Sequence, residues 1–105
     1  MPAPMVDVRE AAERHRSGQA VLLDVREPSE LAFARVEGAL HVPMREVPRR
    51  LAEIPRERPV LVLCHHGGRS QVVADWLLAK GYVAQNVAGG IDAWADEVDP
   101  SLSHY

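Results

Sequence analysis

Val60-Leu61-Val62-Leu63-Cys64 runs directly into His65-His66-Gly67-Gly68-Arg69-Ser70, and this stretch limits the possible folds more than any other. Four consecutive apolar residues, two of them β-branched, read as a strand buried on both faces, the kind found in parallel sheets. From Ser70 the pattern turns helical: Val72, Val73, Trp76 and Leu77 recur at helical spacing, and Gly81 follows Lys80 as a stop signal. The chain's single cysteine therefore stands at a strand-loop-helix crossing. In open α/β sheets, ligands bind beyond the carboxyl ends of strands, where helix N-termini present unpaired N–H groups. Gly67 and Gly68 are expected to allow φ > 0 and to curl the loop amides inward into an anion cradle. A cysteine in such a place acts as a thiolate nucleophile. Arg69 adds a planar fork of donors suited to an oxyanion; its place at a helix start, where the dipole prefers acids, calls for a local anionic partner.

Strands and helices alternate through the rest of the chain. Met5 and Val6 read as a short edge strand, and Asp7 with Glu10 as an N-capping pair for a helix reaching about His15. Ser17-Gly18 ends that helix, and residues 20–25 read as the first central strand, with Asp24 late in it. Pro28 suits the first turn of a short helix over 29–34, and 39–42 reads as a strand stopped by Pro43. A further helix is expected after Pro48 with Leu51 and Ile54 inward, and the catalytic strand is followed by a helix over 70–80. A last strand covers 83–88, and Gly89-Gly90 turn the chain into a helix carrying Ile91 and Trp94. Trp76 and Trp94 are expected in the core, and the polar tail beyond Val98 on the surface. This alternation predicts an α/β fold, a central mostly parallel sheet with helices on both faces. The 105 residues fit one domain, 1–105.

Cys64-x-x-Gly67-x-Arg69-Ser70 after a buried strand resembles the active-site loop of the rhodanese sulfurtransferases. Leu23-Asp24-Val25-Arg26 with Glu30 resembles the family's first signature, Gly38-Ala39-Leu40-His41-Val42-Pro43 its second, and Ala88-Gly89-Gly90-Ile91-Asp92-Ala93-Trp94 its closing one. The resemblance implies a rhodanese-like sheet of about five strands. It also implies sulfur transfer: Cys64 as catalytic nucleophile, a donor such as thiosulfate, a persulfide on Cys64, and cyanide or a thiol as acceptor, a protein acceptor included. His65, His66, Gly67, Gly68, Arg69 and Ser70 would bind the substrate, and Asp24 and Arg26 would brace the active-site face as supporting residues. No cofactor is implied. The chain departs from the family where many members read Gly-His-Ile-Pro-Gly-Ala: here Ala34-Arg35-Val36-Glu37-Gly38-Ala39 brings in an Arg and a Glu. Arg35 either extends a positive edge of the pocket or pairs with Glu37 or Glu30.

Other classes fit less well. A net charge of −3 and an Arg45 to Arg58 run interleaved with Glu46, Glu53 and Glu57 give no basic stripe for nucleic acid. One cysteine excludes an internal disulfide and the Cys-x-x-Cys arrangements of redox and zinc sites. His65 and His66 are not read as metal ligands, because Cys64, His65 and His66, adjacent in a tight loop, do not readily face one tetrahedral ion. They read as lining the pocket mouth, adding partial positive charge as pH falls toward ~6.5. No apolar run has the length of a signal or membrane-spanning segment, and a catalytic thiol is best kept reduced, so a cytoplasmic protein without a membrane is expected. A phosphatase or arsenate reductase of similar fold would be expected to carry five residues between cysteine and arginine, whereas four stand here. A redox-sensing or protein-binding module would lack a second cysteine to resolve an oxidised thiol.

Overall fold

The computed structural model describes residues 2–105. Its sheet consists of β1 (Met5–Val6), β2 (Val21–Asp24), β3 (Leu40–His41), β4 (Val60–Leu63) and β5 (Ala84–Val87). The strands lie in the order β1-β5-β4-β2-β3 and every pairing is parallel. β4 is central, in register with β2 from Val21 opposite Val60 to Asp24 opposite Leu63, and with β5 on its other side. That placement explains its unbroken apolar run, because a strand flanked and covered on both sides has no solvent-facing position. Alternate residues serve opposite faces: Val60, Val62 and Cys64 join one core cluster, Leu61 and Leu63 the other.

The described residues form four helices, α1 (Val8–Arg16), α2 (Pro28–Leu31), α3 (Gly68–Ala79) and α4 (Gly90–Glu97), of which α1, α3 and α4 cover the sheet. α3 packs Val73, Ala74 and Leu77 into the first cluster. α1 and α4 pack Val8, Ala11, Ala12, Ile91 and Trp94 into the second. The expected layering on both faces is thus observed, and Trp94 is buried while Trp76 packs only partly against the core.

Local chemistry accounts for the boundaries. Asp7 caps α1, its carboxylate accepting from Arg9 N at 2.7 Å and Glu10 N at 3.4 Å. Glu10 does not complete the expected reciprocal pair; its carboxylate accepts from Arg14 one turn later. The helix expected after Pro48 is only a 3-10 turn, Leu51–Glu53, preceded by another at Met44–Glu46. Pro48 and Pro55 bracket too short a stretch for a regular helix, and Ile54 is buried from its end. Helix α2 is also shorter than expected, and α3 begins two residues earlier, at Gly68.

α4 is docked onto the end of β4. Ile91 N donates to Cys64 O at 2.9 Å and Asp92 N to His65 O at 3.2 Å, so two N-terminal amides of a helix satisfy two loop carbonyls. Gly90 makes this approach possible: its φ is +62°, and a Cβ there would lie 2.5 Å from Cys64 O and closer still to His65 O. Gly90→Ala is therefore expected to lower folding stability by about 2–4 kcal/mol, read by urea denaturation, without any change in a side chain near the sulfur.

Candidate active site

Cys64 follows β4 directly, with its side chain buried at 1% exposure. Gly67, at φ +118°, reverses the chain so that its own N–H points back to Cys64 Sγ at 3.1 Å. Gly68 does not share this positive φ; it is already the first residue of α3, so only one of the two glycines makes the turn. Ser70 Oγ lies 3.2 Å from the sulfur and 2.5 Å from Asn86 Oδ1. Asn86 is itself fixed, donating from Nδ2 to Gly67 O at 3.0 Å and to Gln71 Oε1 at 2.9 Å. Its oxygen must then accept from Ser70, which sets the hydroxyl between amide and sulfur. Negative charge on Sγ meets an amide N–H and the N-terminal turn of a twelve-residue helix, while the Ser70 oxygen, its one proton given to Asn86, packs against the sulfur at 3.2 Å.

Arg69 has the local anion its position called for, and that anion belongs to the chain. Its guanidinium grips Glu30 bidentately, Nη1 to Oε2 at 2.6 Å and Nη2 to Oε1 at 2.8 Å. Tyr105 Oη donates to Glu30 Oε1 at 2.7 Å, and Glu27 N donates to Oε2 at 2.9 Å. Arg69 chiefly, with Tyr105 and Glu27 assisting against burial, holds the Glu30 carboxyl down to about 2. Glu30 in turn raises the Arg69 pKa. Burial pushes Tyr105 up to about 12, so its hydroxyl keeps the proton it donates.

Asp24 and Arg26 do not touch the sulfur. They form a buried pair, Nη2 to Oδ2 at 2.8 Å and Nε to Oδ1 at 3.0 Å. Arg26 also donates to Ala34 O at 2.8 Å and, through Nη1, to Tyr105 Oη at 2.9 Å. Burial opposes its charge, but the hydrogen bonds to Asp24 and Tyr105 more than offset this and raise its pKa. Through Tyr105 the pair reaches Glu30 and hence Arg69.

His65 is sandwiched between Tyr105, at 3.9 Å and 7° between ring planes, and His66, at 3.8 Å and 23°. Asp92 lies beneath both, 3.3 Å from His65 Nε2 and 2.9 Å from His66 Nε2, and takes His104 Nδ1 at 3.1 Å. Burial raises Asp92, yet His104, His65 and His66 together outweigh it and bring its pKa below the ordinary value. Among the described residues, His65, His66 and Asp92 form a set that could hold a metal ion, their donor atoms all within 4.8 Å of one another. Arg35 pairs with Glu37 at 3.9 Å, both exposed, beside a cavity of about 160 Å³ lined also by Asp24, Leu31 and His41.

Asn86 and Tyr105 did not stand out in the sequence. Asn86 carried a weak signal, a polar residue inside an otherwise strand-forming run; Tyr105 carried none, since its hydrogen-bond partners Glu30 and Arg26 are 75 and 79 positions away.

The chain belongs to the rhodanese-like domain family, which it matches over residues 5–97. It is 38% identical over 92 residues to a sulfurtransferase of Allochromatium vinosum, covering 86% of each chain. It is 36% identical over 90 residues to thiosulfate sulfurtransferase GlpE of Tolumonas auensis, covering 85% of each. To the rhodanese-like/PpiC domain-containing protein 12 of Arabidopsis thaliana it is 39% identical over 92 residues, 83% of this chain but 31% of that one. Among solved structures it superposes on reduced Bacillus anthracis CoADR-RHD with a TM-score of 0.88 at 33% identity, covering 98% of this chain and 18% of that one. No described helix is long and apolar enough to cross a membrane.

The lowered Glu30 value has a definite consequence for stability. Because the folded carboxyl titrates at about 2 and its ordinary value is 4.5, its stabilisation is complete above pH 4.5 and is lost as pH falls toward 2. Thermal unfolding followed by circular dichroism should show a melting temperature that falls more steeply between pH 4.5 and 2 in the wild type than in Glu30→Gln.

Proposed function

We propose that the protein is a sulfurtransferase working through a persulfide on Cys64. The Cys64 thiolate attacks the outer sulfur of a donor; with thiosulfate, the S–S bond to the sulfonate sulfur breaks, sulfite leaves with the bonding pair, and a Cys64 persulfide remains. An acceptor, cyanide or a thiol, then attacks the terminal sulfur and the Cys64 thiolate leaves, closing a double displacement. The observation that carries this reading is the Gly67 N–H at 3.1 Å from Sγ together with the N-terminal turn of α3, in a loop that Asn86 holds through Gly67 O. Such preorganised donors stabilise the thiolate both as nucleophile and as leaving group, without reorganisation at the moment of reaction. The sulfurtransferase names of two relatives that match along most of their length support the same reading. No step asks for a cofactor, and a thiol that must stay free fits a reducing compartment such as the cytoplasm.

Four residues separate Cys64 from Arg69, and Arg69 is engaged by Glu30, so a phosphoryl group with three equatorial oxygens finds neither room nor a free fork. Steady-state assays with thiosulfate and cyanide, and separately with a chromogenic aryl phosphate, test the assignment. Sulfur transfer should be present and fall about 10³-fold or more in Cys64→Ser, with negligible phosphate turnover. Phosphate turnover matching sulfur transfer, and abolished by the same substitution, would assign the loop to the rival chemistry.

A further inference from the structure

Arg69 is the one guanidinium carried by the catalytic loop, and the structure hands it to Glu30. This is not a loose surface pair. The Glu30 side chain is only 16% exposed and its carboxylate accepts four hydrogen bonds: two from Arg69, one from Tyr105 Oη and one from Glu27 N. Tyr105 is held as firmly, accepting from Arg26 Nη1 while its ring stacks on His65 at 3.9 Å and Phe33 at 5.5 Å. The segment bearing it is tied down by Ser103 Oγ to Phe33 O at 2.6 Å and by His104 bridging Asp92 and Asp96.

The charges around the mouth accordingly cancel. Arg69 is matched by Glu30, Arg26 by Asp24 and Arg45 by Glu27, while Asp92 faces the two loop histidines. A small dianion approaching Cys64 must either displace Glu30, leaving that carboxylate unpaired beside it, or bind without Arg69. A reactant with one negative charge or none incurs far less of that repulsion, and the loop amide of Gly67 can still receive its sulfur.

Building on the sulfurtransferase reading, we propose that Glu30 is a specificity-determining residue: an internal carboxylate that competes for Arg69 and turns the site from dianionic donors toward persulfides of organic thiols. Tyr105 is its positioning residue, keeping Glu30 on Arg69 through a single hydroxyl. Both residues act on binding of the donor and not on the sulfur itself.

The test separates this from the function it builds on. In a Cys64→Ser background, where no sulfur can be transferred, titration calorimetry with thiosulfate and with sulfate at low salt measures dianion binding alone. Adding Glu30→Gln should tighten both by about tenfold, and adding Tyr105→Phe, which keeps the stacked ring, by a smaller factor in the same direction. With Cys64 intact, Glu30→Gln should lower KM for thiosulfate while leaving KM for cysteine persulfide, which has a net charge of one, within about twofold, a split that general loosening of the site would not produce. Dianion binding that is unchanged, weaker or undetectable in both folded variants overturns the proposal; should Glu30→Gln fail to fold, Tyr105→Phe decides alone. If no form transfers sulfur from either donor, the sulfurtransferase reading falls, and the calorimetry still decides whether Glu30 competes for Arg69.

Discussion

A guanidinium with no exposure to solvent sits beside the active face of this sheet. An isolated charge in that position would be prohibitive, so Arg26 imposes conditions on everything around it. Asp24, two residues earlier, supplies the counter-charge; Ala34 O and Glu30 O receive further N–H groups and so fix the path of α2 and the turn after it. The last donor goes to Tyr105, drawing a distant segment over the site. Removing one member of such a pair typically costs about 3–5 kcal/mol, because the survivor is left buried and uncompensated. The charge that braces the fold thereby also determines where Tyr105, Glu30 and Arg69 stand.

The sulfur is governed by a second, mostly neutral network. Asn86 on β5 holds Gly67 O and orients Ser70, and the N-terminus of α4 takes the carbonyls of Cys64 and His65. Neighbouring strands and two helices thus converge on one short loop, each satisfying a polar group the loop would otherwise bury unpaired. The two networks meet at Tyr105, whose ring covers His65 and whose hydroxyl holds Glu30. Charge around the mouth is consequently balanced, while Sγ is met by fixed backbone dipoles.

Much of this was legible in the sequence wherever the determinant is local. The four-residue apolar run before Cys64, the Asp7 cap, the proline stops and the turn at Gly67 each act within a few positions, and the parallel sheet follows from their alternation. The anchoring of Arg69 was half legible: its position asked for an anion, but the carboxylate that answers is 39 residues away. Glu30 was visible as part of a motif and silent about its partner. Tyr105 lies in a tail that reads as polar surface, and only the tertiary path of residues 99–105 makes it part of the site. The helix expected after Pro48 failed for a physical reason: inward spacing of Leu51 and Ile54 fits a 3-10 turn as well as an α-helix when prolines close both ends.

The central claim is that Cys64 carries transferable sulfur. Intact-mass spectrometry of the wild type after incubation with thiosulfate or glutathione persulfide, beside Cys64→Ser treated identically, tests it most directly. The account predicts a gain of one sulfur atom in the wild type alone, lost on addition of cyanide. A folded wild-type protein whose mass is unchanged by both donors, or a gain that persists in Cys64→Ser, would contradict it.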